Sequence, residues 1–183
     1  MKFGIIIGSI REGRAGESVA QWVKQQADAR GGDVTYELVD LNDYNVPLNS
    51  STVVPGAANK QYDDPAVTAW SEKIDALDGY VFVTPEYNHS VPGPFKNAFD
   101  SLGSEWSNKP VAFVGYGSAG AVRAVEHWRN IVANLSMFDV RNQLDLSLFT
   151  EFDDNGAAPN ERRPEEMTAI FDELERLAGL LQG

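Results

Sequence analysis

The sequence predicts an α/β protein: a five-stranded parallel sheet wound on both faces by helices. Three observations predict it. Short strand-like runs alternate with helix-like segments along the chain, the pattern of βαβ units covering a parallel sheet. The run Gly79–Thr84 is apolar through its middle, as a strand buried on both faces requires. The length, 183 residues, suits one domain with a substantial core, here taken as residues 1–183.

Lys2–Ile7 is the first expected strand. Glu17–Ala29 follows as a helix, with Val19, Trp22, Val23 and Ala27 near helical spacing and Gly31-Gly32 ending it. Val34–Val39 alternates Val34, Tyr36 and Leu38 with Thr35 and Glu37 and reads as the second strand. The segment 42–64 carries Pro47 and Pro55 and is rich in Asn and Ser. It exceeds an ordinary connection and reads as a flap or contact surface. Pro65–Leu77 is a helix with Trp70 and Ile74 on one face, Gly79–Thr84 the third strand, and Phe95–Leu102 a helix. Pro110–Gly115 is the fourth strand, Ala119–Leu135 a long helix, and Asp139–Phe149 a fifth strand, interrupted or bent. An acidic loop, Glu151–Asn160, leads to the amphipathic helix Pro164–Leu181. At this length the natural strand order is 2-1-3-4-5, the flavodoxin-like doubly wound arrangement.

Composition narrows the chemistry. Hydrophobic residues make up 43% and charged residues 23% of the chain, as in a soluble globular protein. The net charge is −12, so nucleic acid or an anionic membrane needs a local basic patch, and no run longer than Arg162-Arg163 exists. With no cysteine, disulfides, thiolate catalysis and cysteine-held metals are excluded. His127, between Glu126 and Arg129, has no partner histidines and reads as a surface residue rather than a metal ligand. Met1-Lys2-Phe3 leads straight into a strand, without the features of a signal peptide, and no stretch resembles a membrane span. The expectation is a cytoplasmic protein with no nucleic-acid or membrane partner.

Three loops carry the candidate chemistry. In Gly8-Ser9-Ile10-Arg11-Glu12-Gly13-Arg14-Ala15-Gly16 two arginines stand at a helix N-terminus, the end that disfavours cations. A bound anion resolves the conflict, because free N–H groups at such a turn cradle phosphate and guanidinium pairs with it in a fork. The dinucleotide and Walker fingerprints both fail to fit. Ser9, Arg11, Arg14, Glu17 and Ser18 are the candidates here; the plainer alternative is a surface turn whose arginines pair with Glu12 or Glu17.

The second loop is Thr84-Pro85-Glu86-Tyr87-Asn88-His89-Ser90-Val91-Pro92-Gly93-Pro94. Its prolines and glycine stiffen the backbone, so that Pro85, Glu86, Tyr87 and Asn88 can present backbone groups to a planar ring. The alternative is a helix start with solvated turn residues. No spacing makes an acid/base pair of Glu86 and His89. The third loop, Gly115-Tyr116-Gly117-Ser118-Ala119-Gly120-Ala121, lets a ligand approach closely at Gly117, Ser118, Ala119 and Gly120, or else is a turn capped by Ser118. In the expected strand order the three loops follow neighbouring strands and meet at the switch-point crevice.

These motifs have a family likeness. Gly8-Ser9-Ile10-Arg11, the block Thr84–Gly93 with Lys96-Asn97-Ala98, and Gly115–Gly120 resemble, in order and spacing, the NADPH-dependent FMN reductase family over about residues 3–149. The Pro85-Glu86-Tyr87-Asn88…Pro92-Gly93…Lys96-Asn97-Ala98 block is the most specific part. The resemblance implies a flavodoxin-like fold, bound FMN, NAD(P)H as co-substrate, and a quinone, flavin, azo dye or chromate as acceptor. It further implies a homodimer or homotetramer. By the same resemblance Ser9 and Arg11 hold the FMN phosphate with help from Ser18 and backbone N–H groups. Pro85–Asn88 run along the isoalloxazine, and Gly117–Gly120 meet it from the other loop. Many members carry serine and asparagine where this chain has Arg14 and Gly16. The family's interface helices would make Phe99, Leu102, Trp128 and Ile131 candidate subunit contacts, although each also suits the core. Trp106 reads as a packing residue.

The implied activity is hydride transfer from NAD(P)H through FMN to a small-molecule acceptor, with no catalytic acid or base required of the protein. The alternatives are a flavodoxin-like electron carrier and a flavin-based redox-sensing module without significant turnover.

Overall fold

The computed structural model describes residues 1–182. Strands β1 (Lys2–Ile7), β2 (Thr35–Asp40), β3 (Gly79–Pro85), β4 (Pro110–Gly117) and β5 (Phe138–Ser147) form one sheet in the order β2-β1-β3-β4-β5. Every pairing in it is parallel. Five helices wind it: α1 (Gly16–Arg30), α2 (Pro65–Asp75), α3 (Gly93–Asp100), α4 (Val122–Ala133) and α5 (Arg163–Gln182).

The two-residue period of a strand deals its side chains to two cores. Phe3, Ile5, Ile7, Val81, Val83, Ala112 and Val114 face α1 and α5. Ile6, Tyr80, Phe82, Val111 and Phe113 face α2, α3 and α4. The second core is aromatic. Phe82 lies at its centre, with ring centroids of Phe95 at 4.8 Å, Trp128 at 5.3 Å, Phe113 at 5.9 Å and Trp106 at 6.0 Å. The buried indoles are satisfied: Trp70 Nε1 donates to Ala98 O at 2.9 Å, Trp106 Nε1 to Phe99 O at 3.1 Å and Trp128 Nε1 to Thr84 Oγ1 at 3.1 Å.

Two segments differ from the expectation, and in a third, β5, the expected bend is present. The helix expected from Ala119 begins only at Val122, because Gly120 and Ala121 both adopt left-handed backbone (φ 64° and 60°) that a right-handed helix cannot include. Ser118 therefore does not cap it. The expected bend in β5 is a bulge: Val111 pairs with Asp139 but Phe113 with Gln143, so three residues, Val140–Asn142, stand opposite Ala112 alone. The acidic loop 151–160 contains a small antiparallel pair, β6 (Phe152–Asp153) and β7 (Gly156–Ala157). It packs against α1, where Ala157 N donates to Ser18 Oγ at 3.0 Å.

The long segment after β2 holds two single 3-10 turns, Leu41–Asp43 and Pro55–Ala57. It is fastened by a buried carboxylate. Glu105 is fully buried, and its Oε1 accepts from Tyr62 Oη at 2.7 Å and from Ser71 Oγ at 2.6 Å, while Oε2 accepts from Gly103 N at 3.0 Å. Those three donors satisfy a charge that would otherwise be costly to bury.

Candidate functional site: an anion cradle at the sheet's switch point

The loops after β1, β3 and β4 meet at the C-terminal edge of the sheet, where β1 and β3 are neighbours and their crossovers leave in opposite directions. The first loop is pinned by Gly8, whose N–H donates to Val83 O at 3.0 Å. A side chain there would collide with the Phe95 ring on α3, which is why only glycine serves.

Beyond Gly8 the backbone turns its donors outward. Among the described residues, the N–H groups of Ser9, Ile10 and Arg11 and of Gly16, Glu17 and Ser18 donate to no backbone carbonyl. Ala15, the residue before α1, makes no side-chain cap. A helix end left in this way presents the positive end of its dipole and a set of free donors, which suits an anion.

The two arginines part company. Arg14 pairs with Asp40 at the end of β2, with Glu17 4.0 Å off. Its side chain is 12% exposed, and Nε is buried without a partner. Arg11 is exposed, and its guanidinium lies 5.9 Å from the centre of the Tyr87 ring. Ser9 is buried, its hydroxyl 2.6 Å from Tyr87 Oη. The Ser18 hydroxyl is engaged twice, donating to Ala15 O at 2.8 Å and accepting from Ala157 N. Glu17 points into solvent from the first turn of α1.

The second loop is a tight hairpin turn. Tyr87 N donates to Ser90 O at 2.9 Å and Ser90 N to Tyr87 O at 3.1 Å, while Asn88 and His89 between them have φ of 49° and 69°. Two successive left-handed residues make a type I′ turn, and Asn88 is well suited to such a position. Pro85 closes β3 in register with Tyr116 of β4. The Glu86 carboxylate is committed to structure: it accepts from Arg123 N at 3.1 Å and Arg123 Nε at 2.6 Å, which caps α4 from a distant loop. Glu86 therefore does not pair with His89, which is exposed on the turn. His127 Nδ1 lies 2.9 Å from Ser90 Oγ and steadies the same turn from α4.

In the third loop Gly120 N donates to Gly117 O at 3.2 Å, and Ser118 and Ala119 stand exposed at its tip. A side chain on Gly120 would meet Asp145 Cβ at 2.6 Å. Tyr116 of this loop, not among the sequence candidates, also reaches the site: its hydroxyl arrives beside Gly16 at the start of α1. The signal was faint: one hydroxyl within a glycine-rich motif.

Of the suggested subunit contacts, Phe99, Leu102 and Trp128 are core residues of the chain itself. Ile131 is half-buried and lines a groove of about 400 Å³ with Pro55, Gly56, Lys96 and Leu135.

A doubly wound parallel sheet of order β2-β1-β3-β4-β5, whose first crossover begins in an uncapped, donor-lined turn faced by a stiff hairpin across the switch point, defines a protein of the flavodoxin-like class. Residues 1–151 match the family described as NADPH-dependent FMN reductase, and the chain belongs to that family. An NAD(P)H-dependent FMN reductase of a Nectria species is 39% identical over 126 residues, covering 67% of this chain and 63% of that relative. The matched segment thus spans somewhat less than two thirds of that relative's length. The NAD(P)H:quinone oxidoreductase of Solanum tuberosum is 28% identical over 191 residues, covering 100% of this chain and 95% of that one. In fold, the chain is similar to FerB, a flavoenzyme NAD(P)H:(acceptor) oxidoreductase from Paracoccus denitrificans, with a TM-score of 0.76, 20% identity, and 96% and 97% of the two chains covered.

The site's chemistry fits the cofactor this family implies. An uncapped helix start, a buried hydroxyl at Ser9 and a free guanidinium at Arg11 suit a phosphate dianion. The neighbouring hairpin leaves the N–H groups of Asn88 and His89 without backbone acceptors among the described residues, available to the polar edge of a ring.

Proposed function

We propose that this protein is an FMN-dependent NAD(P)H oxidoreductase that delivers reducing equivalents to a quinone, a flavin or a similar small acceptor. The observation that carries the reading is the uncapped start of α1 with Ser9 and Arg11 beside it, set against the stiff 85–90 hairpin. Bound FMN supplies the redox chemistry by accepting a hydride from the nicotinamide and passing it on.

The chain's residues then bind and orient. Ser9, Arg11 and the first-turn N–H groups hold the phosphate, whereas Arg14 and Ser18 brace the cradle through Asp40 and Ala157. Pro85, Glu86, Tyr87 and Asn88 form one wall along the ring and Gly117–Gly120 the other. Their backbone donors, held by the type I′ turn and the glycine turn, are preorganised for negative charge developing on the ring's polar edge. The Glu86–Arg123 link keeps the two walls together. No side chain is asked to move a proton.

The groove beside Ile131 and the exposed apolar Leu48, Val53 and Val54 of the long segment support a homodimeric or homotetrameric assembly. Among the described residues no helix is long and apolar enough to cross a membrane. The test has two stages. Adding FMN to purified protein should give a bound-flavin visible spectrum, and NADPH with a quinone should then be consumed far faster than with free FMN. No bound flavin overturns the reading, whereas bound flavin without turnover makes the protein an electron carrier or sensor. Light scattering on the purified protein reads the assembly, and a monomer overturns that part.

A further inference from the structure

We propose that Tyr116 is a ligand of the cofactor phosphate and that Gly16 is the residue that admits it. The inference rests on the FMN reading above and deepens it.

Tyr116 is the penultimate residue of β4. Its ring is 5% exposed and belongs to the core facing α1 and α5, with Phe152 at 6.5 Å. From there the side chain reaches the first turn of α1. A Cβ added to Gly16 would lie 3.1 Å from Tyr116 Cζ and 3.3 Å from Cε1, and closer still to the hydroxyl. Any residue but glycine at position 16 would have to displace that hydroxyl.

The polar surroundings of the hydroxyl are rich in donors and poor in acceptors. Among the described residues it donates to no carbonyl or carboxylate. Ser9, the hydroxyl beside it, is already bonded to Tyr87, and Arg11 and Arg14 are the nearby charges. Burial holds the Tyr116 pKa well above that of an ordinary tyrosine, with Tyr87 adding to the effect and Ser9, Arg14 and Arg11 opposing it, so the group stays protonated and can donate. A hydroxyl carried on a largely buried ring, beside an uncapped helix start and a free guanidinium, is suited to an anionic oxygen. A helix start that lacks a polar side chain of its own borrows a hydroxyl from β4, and the missing Cβ makes the space.

The test separates phosphate from ring. Dissociation constants for FMN and for riboflavin, which carries the same ring without the phosphate, are measured by flavin fluorescence titration for wild type, Tyr116→Phe and Arg11→Ala. Tyr116→Phe should weaken FMN binding ~10-fold or more, the range for a hydrogen bond to a charged group, and leave riboflavin binding unchanged. Equal FMN affinity, or equal loss for both flavins, overturns the proposal even if Arg11→Ala shows the phosphate site to be real. A wild-type protein that binds no FMN overturns the functional reading along with it. Gly16→Ala gives a second arm, since alanine favours a helix but its methyl crowds the hydroxyl. It should weaken FMN binding in the wild-type background and do so far less in Tyr116→Phe; strictly additive losses would count against the pairing.

Discussion

Arg11 and Arg14 lie in one turn and look equivalent on paper, yet their surroundings give them different work. Arg14 is mostly buried and neutralised by Asp40, whereas Arg11 is exposed and has no carboxylate partner among the described residues. Arg11→Ala should therefore weaken FMN binding by about 1.5–3 kcal/mol, as loss of a charge-assisted hydrogen bond does, with little change in thermal stability. Arg14→Ala should show the reverse: FMN affinity within a few-fold of wild type, and stability lower by about 1–3 kcal/mol, because Asp40 loses its cation. Titration and denaturant melts on the two variants read both quantities, and matching affinity losses would show that both arginines grip the phosphate. The sequence made both arginines candidates by their place at a helix start. The family resemblance favoured Arg11 for the phosphate, but the role of Arg14 was not legible, because Asp40 lies 26 residues from it and only the pairing of β1 with β2 brings it near.

At the scale of elements, the strands and most helices were legible because two-sided burial imposes apolar runs and α1 shows its own periodicity. The boundaries that were missed have tertiary causes. Gly120 and Ala121 take left-handed backbone where the β4 loop packs against β5, and nothing local announces it. Gly120→Ala is accordingly predicted to destabilise the protein by at least about 1–2 kcal/mol, the cost of left-handed backbone for a residue with a Cβ, with the Asp145 contact adding to it. A thermal melt checks this, and wild-type stability would show that the loop relaxes freely. The hairpin β6–β7 escaped the sequence reading because its strands are two residues each, too short for any period. The 85–90 turn was recognised as rigid from its prolines; its type I′ geometry was not, since Asn88-His89 lacks the glycine that usually signals it.

For the whole molecule, charge governs the conditions of stability. Burial opposes the charge on Glu37 and Glu151, but Lys73 and Lys2 around the first and Arg163 beside the second hold both pKa values below the usual 4.5. Groups depressed on folding contribute stability above their unfolded pKa and lose it as pH falls through the folded one. Stability should thus fall steeply below about pH 4.5, and Glu37→Gln should flatten that limb in pH-dependent melts. At the alkaline end burial raises Tyr36, Tyr62 and Tyr80 above 10.0, so their contribution is full below that pH and is lost above it. Lys109, pushed down to about 8 from 10.5 by burial, acts oppositely and adds stability as pH rises between those values. The net charge of −12 adds self-repulsion that salt screens. Raising NaCl from low millimolar to physiological levels should increase the melting temperature, and a decrease would mean that the surface ion pairs outweigh the repulsion.

The sequence by itself determined the layered α/β fold and the three loops that follow strands one, three and four, because local periodicity and turn chemistry are written in neighbouring residues. The strand order came from the precedent of five-stranded doubly wound sheets of this length, and the pairing across the sheet bears it out. The division of labour within the site was decided by tertiary structure alone. Arg14 was assigned to Asp40, Ser18 to Ala157, Glu86 to Arg123 and the Tyr116 hydroxyl to the space at Gly16. Each of these contacts joins positions far apart in the chain, and their distances depend on how helices and loops pack across the sheet, which no local pattern encodes.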